Sequence, residues 1–366
     1  MDTLSDLLEQ GYGLGRNPAY EYSRCRWSGT GGTECHACVQ ACPEGVFPDV
    51  KAKKPDYDKC SKCGLCAAAC PTRAIAAPQI RVRQFLRALA SDEAMSVGCL
   101  HDESHFTLRL DCLAALSWEE IACAALKNGV VLSLRACPTC PKRDHYARLM
   151  DSLEQVRRFL GDDFFFDRVQ LLEEGDEYTG SEAQVSRREF FSLYKKLDPE
   201  RINRLLPPWE QREKIPALFY RALLKQLVQA RRDAADGEKP CYTVTLPQVN
   251  ANCYNCGVCV RACASRALSF RQGEDGGGFL AVVESWKCVA CGRCEQSCRE
   301  KAIAGERTVR VTQLGKAVVG RCSVVLCSVC GKPRKPSDED GLCSSCRMKK
   351  KVADRALAAK KSEEHV

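Results

Sequence analysis

The chain reads as an α+β multidomain protein: two small cysteine-stapled modules flank a small α/β domain, followed by a knuckle near the C-terminus. Three observations predict this. Cysteines recur in tight runs in two separate stretches, strand-length and helix-length apolar segments alternate between those stretches, and two cysteine pairs lie near the end. With 366 residues there is room for several domains, and 27 cysteines dominate the chemistry. The expected limits are an N-terminal segment 1–24, a first module 25–80, an α/β domain 95–175 and a helical linker 181–240. A second module 241–312, a knuckle 320–348 and a basic tail 349–366 complete the plan.

The first element to justify is the module. Cys60, Cys63, Cys66 and Cys70 form a C-x2-C-x2-C-x3-C run, with Pro71 after it. Cys253, Cys256, Cys259 and Cys263 repeat the run, as do Cys288, Cys291, Cys294 and Cys298. Cys35, Cys38 and Cys42, followed by Pro43, lack only the leading cysteine. This spacing holds a [4Fe–4S] cube, and the fourth cysteine of each run crosses to the neighbouring cube. Crossing groups Cys60, Cys63, Cys66 and Cys42; then Cys253, Cys256, Cys259 and Cys298; then Cys288, Cys291, Cys294 and Cys263. The remaining set, Cys35, Cys38 and Cys70, needs a fourth thiolate. Gly32 holds the expected place and cannot ligate, so Cys25 is the candidate, across a loop containing Gly29, Gly31 and Gly32. A three-iron cluster without Cys25 is the competing reading. Zinc competes poorly for all these runs, because it prefers two separated C-x2-C knuckles.

These runs resemble the two-cluster bacterial ferredoxins. The resemblance implies four [4Fe–4S] clusters in two ferredoxin-like 2[4Fe–4S] modules that pass single electrons. Short apolar segments after the runs, such as Ala74-Ile75-Ala76 and Ala302-Ile303-Ala304, suit the small strands of that fold. In the second module Ala264 and Arg299 replace the proline that follows each fourth cysteine. Lys59, Lys62, Lys287, Arg293 and Arg299 lie beside ligands and are expected to favour the reduced, more negative centre.

Between the modules Val97, Phe106 to Leu110, Val130 to Leu134 and Phe164 to Leu172 read as buried strands. Ser117-Trp118-Glu119-Glu120 is a capping box opening a helix to about Leu126, and Arg143 to Phe159 has helical periodicity. Alternating strands and helices predict a partly parallel sheet. Residues 186–236 read as helical, broken at Pro207-Pro208, and as a brace between domains. Cys99, Cys112 and the pair Cys137 and Cys140 all fall at expected strand C-terminal ends, where α/β sheets build their sites. With Leu110-Asp111-Cys112-Leu113 and Asn128-Gly129-Val130-Val131-Leu132, this region resembles the delta subunit of methyl-viologen-reducing hydrogenases. That likeness implies a [2Fe–2S] cluster on the four cysteines; a redox-active dithiol at Cys137 and Cys140, zinc and free thiols are the alternatives.

Cys327, Cys330, Cys343 and Cys346 form two C-x2-C knuckles, a zinc-ribbon-like S4 site for structural zinc. Cys322 is a competing ligand there, and Cys123, Cys241 and Cys322 otherwise read as small buried hydrophobes. Residues 347–366 carry seven basic and three acidic residues, half of the net charge of +8, and read as a solvated, frayed helix. No aromatic-interleaved basic patch points to nucleic acid.

No export signal or membrane span is expected. Ser186-Arg187-Arg188 resembles a twin-arginine signal but lies mid-chain without an apolar stretch after it. Thiols at metal-ligand intervals favour a reducing compartment, hence the cytoplasm, of an anaerobe. Gly11, Gly13 and Gly15 follow no strand, and no P-loop or HExxH occurs, so no catalytic residue is assigned. The reading is an electron-relay subunit working beside a catalytic or flavin subunit in a hydrogenase, formate dehydrogenase or heterodisulfide-reductase type of complex. A disulfide or small-molecule reductase using the middle cysteines, and a redox sensor, are the rivals.

Overall fold

The computed structural model describes residues 17–26, 35–47, 55–140, 145–178, 218–273, 278–322, 324–335 and 337–363. The glycines at 11–15 and 29–32, the 186–188 segment and the Pro207-Pro208 break lie outside these described residues. The chain divides into two compact units, residues 1–244 with 308–315, and residues 245–307 with 316–366.

The first unit opens with the first module. Strand β1 (Ala19–Tyr20) precedes two five-residue helices, α1 (Ala37–Ala41) and α2 (Leu65–Ala69), and β2 (Ile75–Ala76) follows. Helices this short are unstable alone; α1 and α2 hold because they pack on each other. β1 pairs antiparallel with β2, setting Tyr20 opposite Ile75. The shared core is small: Val46, Phe47, Ala74 and Ile75 close around Cys25, Cys66 and Cys70.

The α/β domain follows. Helix α3 (Gln79–Ala90) leads into β3 (Met95–Cys99), β4 (Leu108–Leu110), α4 (Trp118–Lys127) and β5 (Val130–Ser133). Helices α5 (Tyr146–Leu160) and α6 (Asp162–Arg168) and strand β6 (Val169–Leu172) complete it. All three strand pairings are parallel, in the order β4-β3-β5-β6. The capping box is made in both directions: Ser117 Oγ accepts from Glu120 N, and the Glu120 carboxylate accepts from Ser117 N at 2.8 Å. Beyond it Ile121 to Leu126 are wholly buried.

Two expectations need correction. Phe164 to Leu172 is not one strand: Asp162 and Asp163 favour a helix N-terminus, so residues to Arg168 coil and only Val169–Leu172 extend. The aromatic run mimics strand propensity, yet Phe165 alone of Phe165 and Phe166 is buried. The described part of the linker, α7 (Phe219–Ala234), packs on α4 with Leu218, Ala222, Leu223, Leu224 and Val228 fully buried. It belongs to the core of the first unit.

The second unit carries the second module. Strand β7 (Tyr242–Val249) leads to α8 (Val258–Ala262), the hairpin β8 (Leu268–Gln272) and β9 (Phe279–Glu284), and α9 (Arg293–Gln296). Strand β10 (Ile303–Val311) pairs with β7. Strand β11 (Lys316–Cys322), beyond the expected module limit of 312, joins β9 to give the antiparallel sheet β11-β9-β8. Trp286, Val282, Leu268 and Ile303 are buried here. The knuckle is a short ladder of β12 (Val325–Leu326) and β13 (Pro333–Arg334), closed by α10 (Ser344–Glu363). No helix among the described residues is long and apolar enough to cross a membrane.

Candidate metal centres

The cysteine runs fold alike because the same backbone positions turn left-handed. Lys62, Asn255 and Ala290, each two residues after the first cysteine, have φ of 63°, 58° and 48°. Gly64, Gly257 and Gly292, each after the second, have φ of 82°, 73° and 72°. Gly45, Arg73, Arg266 and Lys301, each three after a fourth cysteine, lie between 48° and 61°. Such turns aim consecutive N–H groups into one concavity, a ready anion site. Non-glycine residues adopt them only where the surroundings over-determine the backbone. The N–H groups reach sulfur: Val46 N donates to Cys42 Sγ at 3.4 Å. Ala74, Ala267 and Ala302 donate to Cys70, Cys263 and Cys298, each at 3.2 Å.

Runs that are separate in sequence meet in space. Burial and the charges of Cys70, Cys25 and Cys35 push the Cys38 thiol up to about 11. Cys66 is raised by burial and by Cys63, Cys42 and Cys60. Cys259 is pushed up to about 12 by burial and by Cys253, Cys256 and Cys298. Cys294 reaches about 12 through burial and Cys263, Cys288 and Cys291. Each set joins thiols of one run to the fourth thiol of the other. Crowded, desolvated thiols hold their protons until a cation offsets the charge, and the N–H groups aimed at sulfur suit thiolates neutralised by iron. The donor sets therefore fit [4Fe–4S] cubes.

Internal symmetry explains how Cys25 reaches its set. In the second module Asn250 N donates to Ala302 O, and Cys253 N then closes a turn onto Asn250 O. In the first, Glu21 N donates to Ala74 O, and Cys25 N closes a turn onto Tyr22 O. Cys25 thus stands where Cys253 stands, reached by the same turn after a strand rather than from the Gly32 position. In the sequence its signals were the vacant leading position at Gly32 and the glycine-bearing loop that follows Cys25.

Polar groups around the thiols were less legible. Tyr20 hydroxyl hydrogen-bonds Cys25, Tyr254 hydroxyl hydrogen-bonds Cys256, and Tyr57 is pushed up to about 12 by burial and by Cys66 and Cys60. Of the expected cations, Lys62 acts on Cys60 and Arg293 on Cys291, each opposing the rise that burial imposes. Lys59 instead pairs with Asp56 at 3.1 Å, and Lys287 with Glu284 at 3.1 Å.

In the α/β domain the sheet delivers four thiols to one pocket. Cys99 ends β3, Cys112 follows β4, and Cys137 and Cys140 follow β5. They line it with His101, His145 and Asp111. Burial, then Cys99, Cys112 and Cys140, push Cys137 up to about 11.

The knuckle places the sulfurs of Cys327, Cys330, Cys343 and Cys346 within 4.8 Å of one another, close enough for one ion to touch all four. Backbone N–H groups of Cys343, Val329 and Cys330 lower the Cys327 thiol to about 6. Cys322 is not part of this set; it lies beside Cys253. Cys123 is buried in α4, as expected, whereas Cys241 is half-buried.

Residues 252–302 match a 4Fe-4S dicluster domain and residues 53–76 a 4Fe-4S binding domain. Two segments of the chain, one in each module, thus match ferredoxin-type 4Fe-4S domains. The chain is similar to the pyruvate synthase subunit PorD of Methanothermobacter marburgensis, 45% identical over 42 residues, 12% of this chain and 49% of that one. It is also similar to the methylamine utilization ferredoxin-type protein MauM of Methylobacillus flagellatus, 38% identical over 72 residues, 18% of this chain and 29% of the relative. The chain thus spans about half the length of the first relative and less of the second. Neither family match reaches the middle-domain cysteines.

Proposed function

We propose that this protein is a non-catalytic electron-relay subunit that holds four [4Fe–4S] clusters and serves a larger oxidoreductase complex. The observation that carries it is the crossing of cysteines in both modules. In each, the fourth thiol of one run lies with the first three positions of the other, the ligand exchange of a two-cluster module. A cube held there would supply one-electron transfer. The chain's part is to hold the thiolates, to offer N–H groups to the added negative charge, and to exclude water. The relatives, one of them named as a subunit of pyruvate synthase, support a partner that does the chemistry. A catalytic or flavin subunit of a cytoplasmic anaerobic complex is the partner proposed.

The middle domain adds a [2Fe–2S] centre on Cys99, Cys112, Cys137 and Cys140. Four thiols in one pocket suit a cluster better than a dithiol. A dithiol nucleophile needs a lowered thiol pKa, and Cys137 is raised. Zinc in the knuckle is structural. Anaerobic purification followed by iron, sulfide and zinc analysis with EPR tests the whole reading. About 18 iron and 18 labile sulfide per chain are expected from the cluster types. A colourless protein with zinc alone would refute it.

A further inference from the structure

We propose that one donor side chain on the leading thiol of each module, Cys322 on Cys253 and Tyr20 on Cys25, sets the potential of the centre those thiols hold. The inference rests on the four-cube reading above. Cys322 ends β11, opposite Phe279 of β9, and is only 3% exposed. Its thiol donates to Phe279 O at 3.5 Å and also meets the Cys253 sulfur.

The close approach is built into the strand. A β-bulge falls between Val318 and Gly320, and a Cβ on Gly320 would sit 2.1 Å from Val249 O. Any larger residue there would drive β11 off the end of β7, just before the turn to Cys253. Glycine is what lets the two backbones touch.

Cys322 is not needed as a ligand. Cys253 opens the run, accepts the Asn255 N–H, and shares its set with Cys256, Cys259 and Cys298. Four thiolates complete a cube. The fifth sulfur is then a donor. A thiol has one proton, and two acceptors compete for this one: a neutral carbonyl and a cluster-bound sulfur. Charge makes sulfur the better acceptor, and reduction increases that charge. The hydrogen bond is therefore stronger in the reduced state and raises the potential.

The first module reaches the same contact by another route. Tyr20 lies on β1, its ring held edge-on against Tyr22 at 6.3 Å and Phe47 at 6.2 Å, and its hydroxyl meets Cys25. Strand β1 precedes Cys25, whereas β11 follows the whole second module. Different elements bring a donor to the corresponding thiol of each module.

Potentiometric EPR titration of the full chain, prepared without oxygen, tests this with three variants and an iron assay. Cys322→Ala and Tyr20→Phe should each keep full iron and move one midpoint to lower potential. Cys322→Ser, which retains a donor, should return it toward the wild-type value. Unmoved midpoints in iron-replete Cys322→Ala and Tyr20→Phe would overturn this inference alone. Loss of a cluster's iron in Cys322→Ala would overturn it too, by making Cys322 a ligand. A wild-type chain without iron would instead end the four-cube reading.

Discussion

Cys25 shows how one residue decides what a site can hold. With Cys35, Cys38 and Cys70 it completes four thiols; without it three remain, the number suited to a three-iron cluster. Cys25→Ala should therefore give oxidised protein a new [3Fe–4S] EPR signal and cost iron from one centre only. An unchanged spectrum would remove Cys25 from the ligand set. Asp102 makes a second prediction at this scale. Burial would raise its carboxyl, but hydrogen bonds from Ser133 Oγ and Ser104 N, with the Arg135 charge, hold it below its ordinary value. Its salt bridge to Arg135 is 3.2 Å long, and only 6% of the carboxylate side chain is exposed. A lowered folded pKa means that the stabilisation is present above the unfolded value, about 3.9, and is lost as pH falls through the folded one. Asp102→Asn should flatten the fall in stability below about pH 4, read from thermal melts across that range. Equal slopes in both proteins would locate the acid sensitivity elsewhere.

At the scale of elements, α4 joins the first module to the α/β sheet within the first unit. Its first turn holds Glu119, which pairs with Arg73, and Glu120, which pairs with Arg81 at 3.1 Å. Arg73 also donates to the carbonyls of Ala67, Ala68 and Cys70, closing the end of α2. Two kinds of interaction thus meet at one helix end, and their magnitudes differ. Removing the cap with Ser117→Ala should cost about 1 kcal/mol. Breaking the buried pair with Glu119→Gln should cost about 3–5 kcal/mol, since it strands the Arg73 charge away from water. Denaturant melts of the two variants should rank them in that order, and a reversed ranking would show that the pair contributes little. The capping box was legible because Ser117 and Glu120 stand three apart before an apolar run. The ion pairs were not, because Arg73 and Glu119 lie 46 residues apart and only the tertiary fold joins them. The same contrast runs through the metal centres. Local spacing disclosed the thiols, while Tyr20, Cys322 and the β1–β2 pairing that brings in Cys25 depend on non-local contacts. Phe164 to Phe166 misled for the opposite reason, since aromatic residues suit a strand and a helix alike when one face is buried.

Across the whole molecule, the apolar cores are unequal, and that inequality predicts what metal removal does. The first unit has a real α/β core, and the second module buries Trp286 and Ala281 to Val283 of β9. Among its described residues from 324 to 346, the knuckle buries only Cys327, Leu342 and Cys343, with Cys346 packed against them. So small a core cannot offset the entropy of ordering its loops, and four mutually close sulfurs without an ion would repel once ionised. Zinc binding would then supply the folding free energy of this segment. Polar anchors remain around it: Lys335 pairs with Glu300, and Arg347 binds Asp340 at 2.6 Å and Asp338 at 2.9 Å. Such solvent-screened pairs are too weak to replace the metal. Mild chelation should therefore release zinc, open residues 325–346 to protease and shorten α10, while the iron content and EPR spectrum stay as they were. Iron lost in step with zinc would instead show that the knuckle and the second module fold as one cooperative unit, with Glu300 and its neighbour Cys298 as the hinge of that dependence.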